Sequence, residues 1–126
     1  MNKSSIGRSF NAIVQERAGR EPPFAGALLE EAVQCMLTGE LAIARSLIRD
    51  VIKGSIGYRE LSRRTGTPEK SLVRMFGPNG NPTAANMASV LLQLQHHGRV
   101  RLQVRSEPAL GSRPVRTRRA TAQRVV

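Results

Sequence analysis

Aromatic side chains are scarce in this chain of 126 residues: it has no Trp, one Tyr and three Phe. Its core must therefore be aliphatic, and it has few of the rings on which single-stranded nucleic acid is commonly stacked. Cysteine is as scarce. A single Cys35 excludes an intrachain disulfide and points to a reducing compartment. No apolar run reaches the ~18 residues of a membrane span, and the N-terminus lacks the apolar region of a signal peptide. A cytoplasmic protein with no membrane partner is expected. Acidic residues are few: 9 Asp and Glu face 20 Lys and Arg, a formal charge of +11. That excess points to a polyanionic partner, nucleic acid first, although charge alone does not choose between DNA, RNA and an acidic membrane surface.

The charge is unevenly spread. It is +2 over residues 1–23, −1 over 24–57, +6 over 58–105 and +4 over 106–126. The near-neutral stretch reads as scaffold, and the positive field belongs to the second half. Residues 1–8 read as a flexible N-terminus. From Ser9, the apolar residues Phe10, Ile13 and Val14 predict a short amphipathic helix that Gly19 breaks. A second helix starts near Pro23, with Phe24, Leu28, Leu29, Ala32, Val33, Met36 and Leu37 inward, and ends at Gly39. A third spans 40–53, with Leu41, Ala44, Leu47, Ile48, Val51 and Ile52 buried.

The richest stretch covers residues 58–83, YRELSRRTGTPEKSLVRMFGPNGNPT. A short helix over 58–65 is expected after Gly57, a candidate N-cap. Glu60 at N3 would reach back to the cap, and Ile56 would pack on Leu61. Gly66 is the turn, where a left-handed backbone suits glycine. Thr67 is expected to cap the next helix, with Pro68 at its first position, running to about Phe76. Small Ser62 lets the two helices cross closely, while Leu61, Thr65, Leu72 and Met75 face inward. After the polar loop GPNGNP, Thr83 caps a helix with Met87, Val90, Leu91 and Leu94 inside, ending at Gly98. In RVRLQVR, Val100, Leu102 and Val104 alternate with polar residues, which predicts a half-buried strand. No second strand is visible, so its partner would be a second subunit or another protein's sheet edge; the alternative is a short extended tail lying on the helices. Residues 106–126 read as a basic disordered tail.

Two helices crossing at a glycine turn, within a +6 segment, form the layout of a DNA-binding helix-turn-helix. Glu69, Lys70, Ser71 and Arg74 are the candidate base contacts. Lys70 and Arg74 would donate to guanine, Glu69 would accept from cytosine, and Ser71 would meet a base or a phosphate. Arg59, Arg63 and Arg64, with Asn79, Asn81 and Thr83, are the candidate phosphate contacts. Val100, Leu102 and Val104 are the candidate dimer or partner interface. Against this stands an ordinary helical hairpin with a solvated basic face.

The pattern LSRRTGTPEKSLVRMFGPNGNPT resembles the Xre-type, lambda-repressor-like helix-turn-helix domains. With the leading segments FAGALLEEAV and GELAIARSLIRDVI, it is closest to HigA-like addiction-module antidote proteins. The resemblance spans about residues 10–104. It implies a homodimer that binds its own operator in double-stranded DNA, represses its own operon, and silences a small ribonuclease toxin. It also implies that residues 68–76 form the base-reading helix. The basic tail departs from the compact members of that family.

The expected fold is all-α: a lambda-repressor-like bundle of five or six helices with a short C-terminal β-strand, over residues 9–105. The expected function is a sequence-specific DNA-binding transcriptional repressor acting as an antitoxin. The alternatives are a stand-alone or prophage regulator without a toxin, an RNA- or ribosome-associated basic module, and a protein-interaction module whose strand augments a partner sheet. No enzyme, cofactor or metal site is expected. No nucleophile–base pattern can be read, GPNGNP lacks the Gly-Lys-Ser/Thr of a P-loop, and adjacent His96 and His97 lack ligand spacing on a helix. Cys35 reads as packing, and Glu30 and Glu31 as a solvated face.

Overall fold

Helix follows helix in the computed structural model, which describes residues 3–109. The elements are α1 (Lys3–Arg20), α2 (Pro22–Leu37), α3 (Leu41–Gly54), α4 (Gly57–Thr65), α5 (Glu69–Met75) and α6 (Ala84–Gly98), with no strand among the described residues. The all-α expectation holds. α3 packs against α1, α2 and α4, while α6 packs against α2 and α4.

The first helix begins earlier and ends later than its apolar stripe indicates. α1 runs through Gly19 because that residue serves as a contact surface rather than a stop. A Cβ at Gly19 would lie 2.0 Å from the Gly54 carbonyl oxygen, and a Cβ at Gly54 would lie 2.0 Å from the Gln15 carbonyl oxygen. The backbones of α1 and α3 therefore touch where Gly19 and Gly54 carry no side chain. At the same contact, Gln15 Nε2 donates to the Asp50 carboxylate at 3.0 Å, giving a partner to a buried charged group. The chain then turns into α2 around Arg17. Its Nε lies 2.9 Å from Glu21 Oε1, and its guanidinium sits 4.3 Å from the centre of the Phe24 ring.

The core gathers Leu29, Ala32 and Cys35 from α2, Ala44, Ile48, Val51 and Ile52 from α3, Ile56, Leu61 from α4, Leu72 and Phe76, and Met87, Val90 and Leu94 from α6. Of the residues expected inward on α2, Phe24 and Val33 are half-buried without joining it, and two further expected core residues are exposed: Leu37 is 65% exposed and Leu41 49% exposed. Leu37 and Leu41 sit at the last position of α2 and the first of α3, where the chain reverses, and the buried stripe of α2 is carried instead by Ala25, Leu29, Ala32 and Cys35. The α6 stripe is as expected, and the Thr83 hydroxyl accepts from the Asn86 N–H at 3.1 Å as the cap.

No strand is found at Val100, Leu102 and Val104 within this chain. Arg99, in the left-handed region at φ 56°, ends α6 and turns the chain. The Val100 N–H then donates to the Gln95 carbonyl (3.1 Å), and the Leu102 N–H to Gln95 Oε1 (2.9 Å). A single glutamine thus accepts two donors that a partner strand would have accepted. Val100 and Leu102 are half-buried against the core, whereas Val104 is 77% exposed. Val100 and Leu102 thus seat the segment after α6 on the helices. Most of the expected basic tail, residues 110–126, lies outside the described residues, as do Met1 and Asn2 of the expected flexible N-terminus.

The α1–α3 contact makes a direct prediction. Gly54→Ala is expected to destabilise the fold by about 1–3 kcal/mol, because the new methyl must push the α1 backbone away. Urea unfolding followed by circular dichroism reads this; an unchanged midpoint would show that the helices separate freely.

Candidate nucleic-acid interface

The α4–α5 pair is built by local rules around Gly66. This residue caps α4 in the left-handed region, at φ 78°. Its N–H donates to the Ser62 carbonyl at 2.9 Å, and the Ser62 hydroxyl donates to the Thr67 carbonyl at 2.6 Å. The Thr65 hydroxyl donates to the Leu61 carbonyl (2.8 Å) and accepts from the Thr67 N–H (3.2 Å). Ser62 is therefore more than a small residue at a crossing; it ties both sides of the turn. The backbone of Thr67 is thus held in the turn, and the cap of α5 lies one residue further on than expected. Pro68, with extended ψ 142°, stands at the N-cap, and Glu69 begins the helix.

At seven residues, α5 is too short to persist in water by itself. Its position comes from burial of Leu72 and Phe76, both fully inaccessible, which contributes roughly 1.5–3 kcal/mol for each side chain. It also comes from two arginines of α3. Arg45 donates to the carbonyls of Gly77 (3.3 Å) and Pro78 (3.0 Å), and Arg49 to that of Phe76 (3.4 Å). Cations thus meet the carbonyl end of α5, where the helix dipole favours them. These arginines belong to the near-neutral scaffold stretch. Sequence reasoning missed their role because their partners lie roughly thirty residues away.

With one side so held, α5 presents Glu69, Lys70, Val73 and Arg74 outward, all exposed and lining one shallow hollow. Ser71 is half-buried beside them. Arg59, Arg63 and Arg64 are exposed on α4, and Asn79, Asn81 and Thr83 are exposed after α5. Val73, 48% exposed between Lys70 and Arg74, is an apolar group on this charged face that was not among the expected base contacts. Val100, Leu102 and Val104 belong to another surface, a groove of about 920 Å³ between α2 and residues 100–107, lined also by Gly26, Glu30 and Gln34.

Glu60 departs from expectation. With Ile56 at the N-cap of α4 and Gly57 inside the helix, no capping box forms. The Glu60 carboxylate turns forward to the next helical turn. Oε1 accepts from Arg63 Nε (2.9 Å), while Oε2 accepts from Arg63 Nη2 and from Arg64 Nε (2.8 Å). Two guanidiniums at i+3 and i+4 outcompete a backbone N–H for one carboxylate. The hydrogen bonds from Arg63 and Arg64 hold the Glu60 carboxyl down at about 2, and Glu60 in turn raises Arg63. Among the described residues no carboxylate lies within ion-pair distance of Arg59, Lys70 or Arg74.

Other candidates carry little chemistry. Among the described residues there is no group of three or more His, Cys, Asp and Glu that could hold a metal ion, and no helix is long and apolar enough to cross a membrane. His96 and His97 are exposed near the end of α6. Cys35 is buried in the core; burial first, then the Glu31 and Glu40 carboxylates, push its thiol above the ordinary value.

A scan of protein-family models and searches of curated proteins and solved structures found no match to this chain.

The Glu60 pairing is checked by titration. A carboxyl whose pKa is depressed on folding contributes stability above its unfolded value, and loses it as pH falls through the folded one. Here the window runs from about 4.5 down to about 2. The Glu60 side-chain carbon signal is expected to titrate near the lower figure in wild type and to move toward the upper one in an Arg63→Ala/Arg64→Ala variant. Titration of wild type near 4.5 would mean that the pairs do not persist in solution.

Proposed function

We propose that this chain is a sequence-specific, double-stranded DNA-binding repressor of the helix-turn-helix class, with α5 entering the major groove. The observation that carries the reading is the α5 face. Lys70 and Arg74 are exposed and unpaired there among the described residues, on a helix whose opposite side is locked into the core by Leu72 and Phe76. Arg74 and Lys70 donate to guanine O6 and N7, Glu69 accepts from cytosine N4, and Val73 packs on a thymine methyl. Ser71, half-buried, reaches a base or a phosphate at the edge of the contact. Arg59, Arg63, Arg64, Asn79, Asn81 and Thr83 hold the flanking phosphates. Repression is by occlusion of a promoter, without covalent chemistry.

One short reading helix covers few base pairs, so the repressor acts as a homodimer with two reading helices about 34–36 Å apart. The resemblance to HigA-like antidotes extends the reading to an antitoxin that silences a small ribonuclease. The groove between α2 and residues 100–107, with Leu37 and Val104 exposed on it, supports a protein partner on a surface separate from α5.

Two experiments test these readings. Fluorescent duplex from the gene's own upstream region is titrated against a scrambled duplex at two salt concentrations. Lys70→Ala/Arg74→Ala is expected to lose about 10-fold or more of the preference for the upstream duplex, each contact being worth about 1–3 kcal/mol. Equal, salt-sensitive binding of both duplexes, untouched by the variant, would transfer the reading to generic charge or to RNA. For the interface, Val104→Asp is expected to shift the mass by light scattering from dimer to monomer with helicity retained, because Val104 contributes little to the fold. An unchanged mass removes this segment from the dimer interface.

A further inference from the structure

We infer that Glu60 is an internal phosphate mimic, which occupies Arg63 and Arg64 in the free protein and lowers its affinity for any duplex. The inference rests on the DNA-binding reading above. Its evidence is the shape of the pairing. Arg63 meets the carboxylate through Nε and Nη2 on two separate oxygens, the same two-point fork with which an arginine grips a phosphate. Arg64 adds its Nε to one of those oxygens. The Nε/Nη2 edge of Arg63 is therefore taken, although its side chain is 71% exposed and its Nη1 group stays open.

The contrast within the same face gives the inference its content. Arg59, Lys70 and Arg74 have no carboxylate within ion-pair distance among the described residues, while Arg63 and Arg64 share one. A duplex phosphate competes with Glu60 for the Nε/Nη2 edge of Arg63 and for Nε of Arg64, and the carboxylate, displaced or not, stands close to the backbone as an unfavourable charge. Base contacts from α5 are unaffected, because Glu60 lies on α4. The carboxylate thus restrains sequence-independent attraction and leaves base discrimination intact. In a strongly basic chain that restraint limits binding to irrelevant DNA, the term that counter-ion release otherwise dominates.

Glu60→Gln keeps the side-chain shape and removes the charge. It is expected to bind both the upstream and the scrambled duplex about 3- to 10-fold more tightly at low salt, with a salt slope steeper by the value of one to two phosphate contacts and an unchanged ratio between the two duplexes. A second comparison isolates the pairing: in an Arg63→Ala/Arg64→Ala background, adding Glu60→Gln is expected to change affinity by less than about 2-fold. Weaker binding by Glu60→Gln would overturn the inference and make Glu60 a residue that orients the arginines for phosphate. Equal tightening in both backgrounds would also overturn it, since the effect would then be long-range charge. Wild type that binds duplex while Glu60→Gln fails to tighten refutes the mimic alone. Wild type that binds no duplex at either salt refutes the DNA-binding reading and the mimic with it.

Discussion

A helix of seven residues has no independent existence in water, so everything proposed for α5 depends on the burial of Leu72 and Phe76. These two side chains dock α5 into the core shared by α2, α3, α4 and α6. Phe76 matters most for geometry. It follows the last residue of the helix, where its ring enters the core and its carbonyl accepts from Arg49. Arg45 extends the same tie to Gly77 and Pro78. The scaffold thus fixes both the rotation of α5, through the buried ring and leucine, and its axial position, through the arginines at its carbonyl end. What remains free is one face carrying Glu69, Lys70, Val73 and Arg74.

Local rules made much of this legible in advance. Gly66 was expected in the left-handed region because few other residues adopt it cheaply, and it is found there. Thr83 was expected to cap α6, and its hydroxyl does so. The spacing of Leu61, Leu72, Met87, Val90 and Leu94 placed them inside, and they are buried. The exposed positions of Lys70 and Arg74 followed from the same periodicity.

The remainder depended on partners distant in sequence or on competition between neighbours. Gly19 looked like a helix stop, but it is where α1 meets Gly54 of α3, a contact no local pattern encodes. Arg45 and Arg49 looked like ordinary charges on a scaffold helix, since their acceptors lie beyond two further helices. Glu60 had two legitimate fates, a cap N–H or the arginines ahead of it, and the stronger charge-assisted bonds prevailed. The alternation of Val100, Leu102 and Val104 predicts a half-buried strand; Val100 and Leu102 are half-buried, but Val104 is exposed and no strand is found there within this chain. Alternation says nothing of the acceptor, and here the Gln95 carbonyl and side chain take the place of a second strand.

The central claim is that the outward face of α5 is where this chain meets DNA. The most direct measurement is an amide chemical-shift map of the labelled protein with a duplex selected from a random pool. The account predicts the largest changes at Glu69, Lys70, Val73 and Arg74, with smaller ones at Arg59 and Asn79. Changes concentrated instead on α2 and residues 100–107, with α5 silent, would contradict it.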